Sequence, residues 1–485
     1  MSNISWLPDE ILETIIKQTP TDLTNLKLVC SKFNGAVNTS VHLMKNFEVS
    51  WVDIKHEKPQ QARKYVNLKV ENVIEPEEKL LKFISLHSKT LTTLNLTECS
   101  LSKKDLNLFL SFVSGTLISL KMLAVHITRN DDASKTLKVK LENLKDLELN
   151  YIGHGCFLFS ALETYNLETL HYEDNYHLDS EEIDSFLKFI RQQMSLSKLY
   201  INSNEIRELL GNLNTQQHVQ FEAKKIGIFS QEDSIEPANL LTFLTTQRKS
   251  LKSLGIGPCT LSRNHVRQLL VMFDLNQLGL IDCTFNWGQG FADFLQIDFT
   301  NTSIQSLVFS KQQASDVNIE AIGNIIKKCQ NVSSIGLQHV EVPYDLSIIL
   351  AYHSKKLRQI LFDNNENITQ CHYPTVERIS IRECERDELV KLMQVNRHLK
   401  LLKVDQIYEK DEVFQRNLLN LPDAVVEYNK IPLAKVPKAF QSTPPKNLLE
   451  ETKNLQSKIS VPVSLLTSLS LIIIAIGIRA LIHIW

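Results

Sequence analysis

The stretch HYEDNYHLDSEE, His171 to Glu182, gathers His171, Glu173, Asp174 and His177 within seven residues. Imidazoles and carboxylates this close could hold a divalent metal or act as an acid–base pair. The simpler reading is a strand with a polar face that runs into a solvated turn, and it needs no site. No Gly-rich phosphate loop, H-E-x-x-H or G-x-S-x-G occurs. The eight cysteines form no C-x-x-C pair and no zinc-type spacing, and none has the basic neighbourhood that activates a thiolate. No catalytic residue, metal or cofactor is therefore expected, and the chain reads as a non-enzyme.

A chain of 485 residues has room for two or three domains or for one elongated repeat array. Its 53 basic and 55 acidic side chains leave a net charge of −2, so nucleic acid is not an expected partner. The opening MSNISWLPDE has neither a basic nor an apolar region of the secretory type. The cysteines are then expected as reduced, mostly buried thiols.

What must position any polar group is a repeat. From Tyr65 to Val404 one phrase recurs: apolar, two residues, apolar, one residue, apolar. Clear copies include Leu91-Leu94-Leu96, Leu144-Leu147-Leu149, Leu196-Leu199-Ile201 and Leu251-Leu254-Ile256. Weaker ones include Leu120-Leu123-Val125, Leu167-Leu170-Tyr172 and Ala223-Ile226-Ile228. The last two apolar residues alternate, so both point to one face of a short strand. A turn follows, opened by Cys99, Cys259, Cys283 or Cys384, or by Asn204 or Asn365. A small side chain able to partner turn backbone suits that place. Between the phrases lie helical patterns: Ile183, Phe186, Leu187 and Ile190 after Asp179 or Ser180, and Ile319, Ile322, Ile325 and Ile326 after Ser315 or Asp316. Each unit reads strand, turn, helix, return.

This pattern resembles the cysteine-containing leucine-rich repeats, with CQNVSSIGL (Cys329 to Leu337) close to that family's phrase. The resemblance implies an α/β solenoid, with a parallel sheet on the concave side and helices on the convex side, expected over residues 46–408. Repeat arrays commonly bind partners on the concave sheet. Residues expected there include Asn95, Thr97, Gln338, Asp363, Arg382 and Asp405. The run Glu148, Asn150, Tyr151, His171, Glu173, Tyr200 and Asn202 mixes acids with tyrosines and is the expected substrate-binding patch, suited to a basic or aromatic segment.

The N-terminus differs. Trp6, Leu7, Ile11, Leu12, Ile15 and Ile16 form one apolar helical face behind Pro8, Asp9 and Glu10. Asp22 can cap a second helix carrying Leu23, Leu26 and Val29. So short a piece either packs on its neighbour or offers its apolar face to another protein. The stretch Leu7 to Phe33 resembles the F-box motif, through Leu7-Pro8-Asp9-Glu10-Ile11-Leu12, Ile15, Asp22-Leu23, Leu26 and Val29-Cys30-Ser31-Lys32-Phe33. It departs at Thr19, where leucine is usual, and at Phe33, where tryptophan is common. The resemblance implies an F-box over residues 1–45 that docks on the Skp1 adaptor of a cullin–RING ubiquitin ligase. By position the docking residues would be Leu7, Pro8, Ile11, Leu12, Ile15, Leu23, Leu26, Val29 and Cys30.

Val461 to Ile478 is 18 residues without a charge, about 27 Å as a helix. Arg479, His483 and Trp485 follow at the far interface, and Lys453 and Lys458 precede it. A linker over 409–460 and a transmembrane tail anchor over 461–485 are expected. The chain would then face the cytosol from the endoplasmic reticulum or the outer mitochondrial membrane. Two functions follow from these parts. One is a membrane-anchored substrate receptor of a Skp1–cullin–F-box ligase; the other is an anchored repeat scaffold that binds partners without ubiquitination.

Overall fold

The computed structural model describes residues 48–55, 65–74, 76–128, 138–152, 156–174, 178–215, 221–231, 234–287, 299–310, 319–340, 342–352, 355–362, 371–384, 386–396, 398–407 and 425–428. All of them belong to one compact unit, Met1–Asn429. The expected F-box residues, the tail 461–485, His177, Asp363, Asn365, Ser315 and Asp316 lie outside the described residues.

Among the described residues sixteen strands form one sheet in chain order, and every neighbouring pair is parallel. They are β1 Glu48–Ser50, β2 Asn67–Glu71, β3 Thr93–Thr97, β4 Ser119–Leu123, β5 Asp146–Asn150, β6 Thr169–Asp174, β7 Lys198–Ser203 and β8 Lys225–Phe229. The series continues with β9 Ser253–Gly257, β10 Gln277–Ile281, β11 Ser306–Ser310, β12 Ser334–Gln338, β13 Gln359–Phe362, β14 Arg378–Cys384, β15 Leu401–Ile407 and β16 Val425–Tyr428. A parallel pair needs a crossover, and sequential order makes each crossover one repeat. The two outermost strands lie beyond the phrase found in the sequence, and β16 falls in the stretch expected as linker.

The alternation acts as expected. Leu94 and Leu96, Leu147 and Leu149, and Ile226 and Ile228 point inward and join the helices in one buried core. The leading residue of each phrase, such as Leu91, Leu144 or Leu251, is also buried. One copy is corrected. In LISLKMLAV the phrase fits twice, and the strand uses Leu117, Leu120 and Met122 rather than Leu120-Leu123-Val125. Pairing decides it: Leu120 lies between Leu94 and Leu147, and Met122 between Leu96 and Leu149. A three-residue slip would send Met122 outward, because the side-chain period is two.

A common turn follows the strands. Asn72, Glu98, Ala124, Tyr151, Asp282 and His339 each come directly after a strand, with φ between 51° and 55°. Such left-handed residues cost energy that the surrounding register must outweigh. In five of them the backbone N–H donates to the next repeat's strand, as from Glu98 to the Leu123 carbonyl at 2.8 Å. The next residue turns inward. Cys99, Cys259 and Cys283 fill this place, as expected, but Val125, Ile152 and Val340 fill it equally well. The Cys99 thiol also donates to the carbonyls of Val70 and Thr97, at 3.4 and 3.3 Å. Cys384 instead ends a strand. Cys99, Cys259, Cys283, Cys329 and Cys371 are all buried and free.

Helices complete the core. The helix Ser180–Arg191 starts at Asp179 with a full capping box, the Asp179 side chain accepting from the Glu182 N–H and Glu182 returning to Asp179. Ser262 caps Arg263–Met272 in the same way with His265. Buried amides close the return segments: Gln193 donates to the carbonyls of Thr164 and Phe189, and Asn396 to those of Cys371 and Leu392. Among the described residues no helix is long and apolar enough to cross a membrane.

Candidate functional site

The inward apolar residues of each strand leave its first, third and fifth positions on the other, open face of the sheet. Register sorts these into rows. One row runs Lys121, Glu148, His171, Tyr200, Gly227, Gly255 and Gly279. The next runs Asn150, Glu173, Asn202 and Phe229. All seven residues of the expected substrate patch are therefore neighbours on β5, β6 and β7, with Tyr151 in the turn that ends β5.

Glu173 is the centre. It is 5% exposed, yet it carries a carboxylate. The Tyr151 hydroxyl donates to its Oε1 at 2.8 Å, and the Asn202 amide donates to the same oxygen at 3.0 Å. His171 Nε2 stands 3.9 Å from Oε2. Donors of this kind offset the cost of burying an acid. Tyr151 has a left-handed backbone, and its own N–H donates to the Glu173 carbonyl at 2.8 Å. Beside this group Asn150 donates to Glu148 at 3.1 Å, and Lys121 pairs with the other Glu148 oxygen at 2.9 Å.

The tyrosines are tuned to stay neutral. Burial pushes the Tyr200 phenol well above its usual range, and the Glu173 and Tyr151 charges add to this. Burial also raises Tyr151, followed by the charge of Glu173 and the hydrogen bond to it. Both phenols remain protonated at neutral pH, and Tyr151 uses its hydroxyl as the donor to Glu173.

Aromatic rings flank the carboxylate. His171 and Tyr200 stand 4.0 Å apart and Tyr200 and Phe229 5.2 Å apart, centre to centre. They lie along the sheet because the adjoining positions are glycine. A Cβ at Gly227 would sit 2.7 Å from the Tyr200 ring and 2.9 Å from Phe229, and one at Gly255 3.0 Å from Phe229. Beneath the same strand the Tyr172 hydroxyl donates to Asp174 at 2.9 Å, both groups being buried.

Sequence reasoning missed Lys121, Phe229 and the glycines. Lys121 was hidden by the three-residue misreading of its strand, which assigns it to neither face. Phe229 and the glycines could have been found by aligning the phrases and reading down the columns. Among the described residues no group of three or more His, Cys, Asp or Glu side chains could hold a metal ion. Asn95, Thr97, Gln338 and Arg382 also occupy described positions of the repeats, partly or fully exposed; Asp405 lies within β15. Asn95 bonds Thr97 at 3.3 Å and Arg382 meets His339 at 3.3 Å, so neither forms part of the Glu173 group.

Comparison with known proteins adds the N-terminal part. Residues 4–43 match the F-box domain. Comparison with curated proteins gives no match. Among solved structures, the chain is similar to a chain of the TLR13–ssRNA13 complex, with TM-score 0.40 and 15% identity. That similarity covers 71% of this chain and 48% of the other, so the chain spans about half the length of that relative. A chain of the Rad7 and Elc1 complex in yeast matches with TM-score 0.37 and 12% identity, over 86% of this chain and 95% of that one. The leucine-rich repeat-containing protein LegL7 from Legionella pneumophila matches with TM-score 0.29 and 12% identity, over 77% and 96%. These scores are low, and the repeat fold rests on the strand register above. The chain thus joins an F-box domain to a leucine-rich-repeat-like parallel sheet.

Proposed function

We propose that the chain is the substrate-recognition subunit of a Skp1–cullin–F-box ubiquitin ligase. The observation that carries this is the F-box match at residues 4–43, directly ahead of a sixteen-stranded parallel sheet. In this reading Leu7, Pro8, Ile11, Leu12, Ile15, Leu23, Leu26, Val29 and Cys30 dock on Skp1, and through it on a cullin–RING assembly. The open face around Glu148, Asn150, Tyr151, His171, Glu173, Tyr200 and Asn202 selects the target. The chain makes and breaks no bond itself; it raises the effective concentration of target near the transfer machinery.

The segment 461–485, uncharged from Val461 to Ile478, is proposed as a tail anchor that places the assembly on an intracellular membrane, endoplasmic reticulum or outer mitochondrial, with F-box and repeats in the cytosol. Its support is the length and composition of Val461 to Ile478 and the basic residue after it.

Affinity purification of the full chain tests the ligase reading. Skp1 and cullin should co-purify with the wild type and be lost with Leu12→Asp or Leu23→Asp. A folded chain that retrieves neither leaves the scaffold reading instead. Carbonate extraction, with and without residues 461–485, tests the anchor: only the full chain should stay in the pellet, and its release would refute the anchor.

A further inference from the structure

One residue ahead of the strands β3 to β15, a backbone N–H donates to the carbonyl of its counterpart one repeat earlier. These residues therefore line up along one edge of the sheet. Glu168 donates in this way to Lys145 at 2.8 Å, Lys224 to Ser197 at 2.8 Å and Lys252 to Lys224 at 2.9 Å. Where this edge carries charge elsewhere, the signs alternate. Lys145 pairs with Glu168 at 2.6 Å, and Glu377 lies between Arg358 and Lys400, at 3.7 and 2.8 Å. At β7, β8 and β9 the signs do not alternate. Lys224 is followed by Lys252, and in the next row Lys198 is directly opposite Lys225. Like charges on neighbouring strands cost stability.

Arg248 and Lys249, in the turn before β9, extend these four lysines to six cations. Arg248 serves the fold, donating to the Met272 carbonyl at 2.8 Å, and Lys252 pairs with Asp274. Lys198, Lys224 and Lys249 are exposed and meet no carboxylate among the described residues. Glu222 and Asp274 stand at this end of the repeats. Glu205, Glu208 and Glu236 follow the other ends of β7 and β8. Those three are about 15 Å away along the strands. At about 0.1 M salt the Debye length is about 10 Å, so the far acids do not neutralise the edge. Beside the cations Met194 and Tyr165 are exposed, the Met194 N–H donating to the Tyr165 carbonyl at 3.4 Å.

We infer that this edge, at the entry to β7, β8 and β9, is a docking surface for an acidic segment of a partner protein. The run is three strands wide, about 10 Å. It is bounded by Glu168 on one side and by uncharged Asn276 and Gln277 on the other. A few carboxylates fit that width, whereas a long phosphate chain would run on to Glu168. The exposed Met194 and Tyr165 suit a polypeptide, because such side chains anchor protein interfaces. The inference stands apart from the ligase reading, on which Skp1 retrieval reports separately.

The test uses the full chain with dye-labelled octa-glutamate, octa-glutamine and oligo-dT as probes, read by anisotropy at about 0.1 M salt. Octa-glutamate should bind and octa-glutamine should not. Lys224→Glu should weaken octa-glutamate binding at least about fivefold. Its unfolding midpoint should stay or rise, because the new carboxylate stands beside Lys252 as Glu168 stands beside Lys145. Lys104→Glu, an equal charge change at an exposed position of the helix Lys103–Val113, should weaken binding less than about twofold. A wild-type chain that does not bind octa-glutamate overturns the proposal. So does a loss in folded Lys224→Glu no larger than in Lys104→Glu. Tighter binding of oligo-dT, lost in Lys224→Glu, overturns the choice of a peptide partner. Should Lys224→Glu fail to fold, Lys249→Glu takes its place with the same expected loss.

Discussion

At the scale of single residues, the sheet is sensitive to a few close contacts. A Cβ at Gly257 would fall 1.6 Å from the Ile281 carbonyl oxygen, and its φ of +152° disfavours any side chain. Gly257→Ala should cost about 3 kcal/mol or more, while Gly115→Ala, with open space around it, should stay within about 0.5 kcal/mol. Urea unfolding of the two variants measures the contrast. His87 is a second such point. It is buried between Tyr65 and Phe83, at 4.9 and 4.5 Å, and its Nε2 has no hydrogen-bond partner among the described residues. Burial holds its pKa below the usual value, so the folded state favours the neutral ring. The unfolded chain therefore takes up the proton first, and stability is lost as pH falls through about 6.5. The unfolding midpoint should drop between pH 7.5 and 5.5, and His87→Phe should flatten that part of the slope. The buried thiols should resist alkylation in the native chain. Burial raises Cys283 well above its usual range, with the neighbouring Cys259 adding to it, so iodoacetamide should label both only after unfolding.

At the scale of elements, register is the quantity to test. Met122 faces the core and Leu123 the open face, although the sequence phrase suggests the reverse. Met122→Asp should destabilise by about 3 kcal/mol or more, and Leu123→Asp by less than about 1 kcal/mol. Equal losses would mean a different register. The capping box at Asp179 is a smaller device, and Asp179→Ala should cost about 1 kcal/mol in the same assay.

These elements also mark what a sequence makes legible. Strand phrases such as Leu144-Leu147-Leu149 are readable because alternation and spacing are local. The cap at Asp179 is readable for the same reason. LISLKMLAV misleads because two overlapping matches are locally equal and only pairing with Leu94 and Leu147 separates them. The turn after the strands reads as a cysteine or asparagine position, but burial admits valine and isoleucine too. The composition of the Glu173 cluster, acids among tyrosines, is legible in the sequence. Its internal order is not: the bond from Tyr151 to Glu173 depends on a left-handed residue that no residue type announces.

At the scale of the whole molecule, the proposed function divides two tasks between a short N-terminal module and a long sheet. A sheet built of near-identical steps presents rows of side chains on rigid strands, where a target can be held without a loop closing. In the proposed function the 40-residue stretch that matches the F-box domain meets the adaptor. The proposed function depends on that meeting. Its most direct test is titration of purified Skp1 into the purified full chain, followed by size-exclusion chromatography with light scattering. A 1:1 complex is predicted for the wild type and none for Leu12→Asp, with the unfolding midpoint of the repeats unchanged. A wild-type chain that forms no complex, or a folded Leu12→Asp that forms one as tightly, would contradict it.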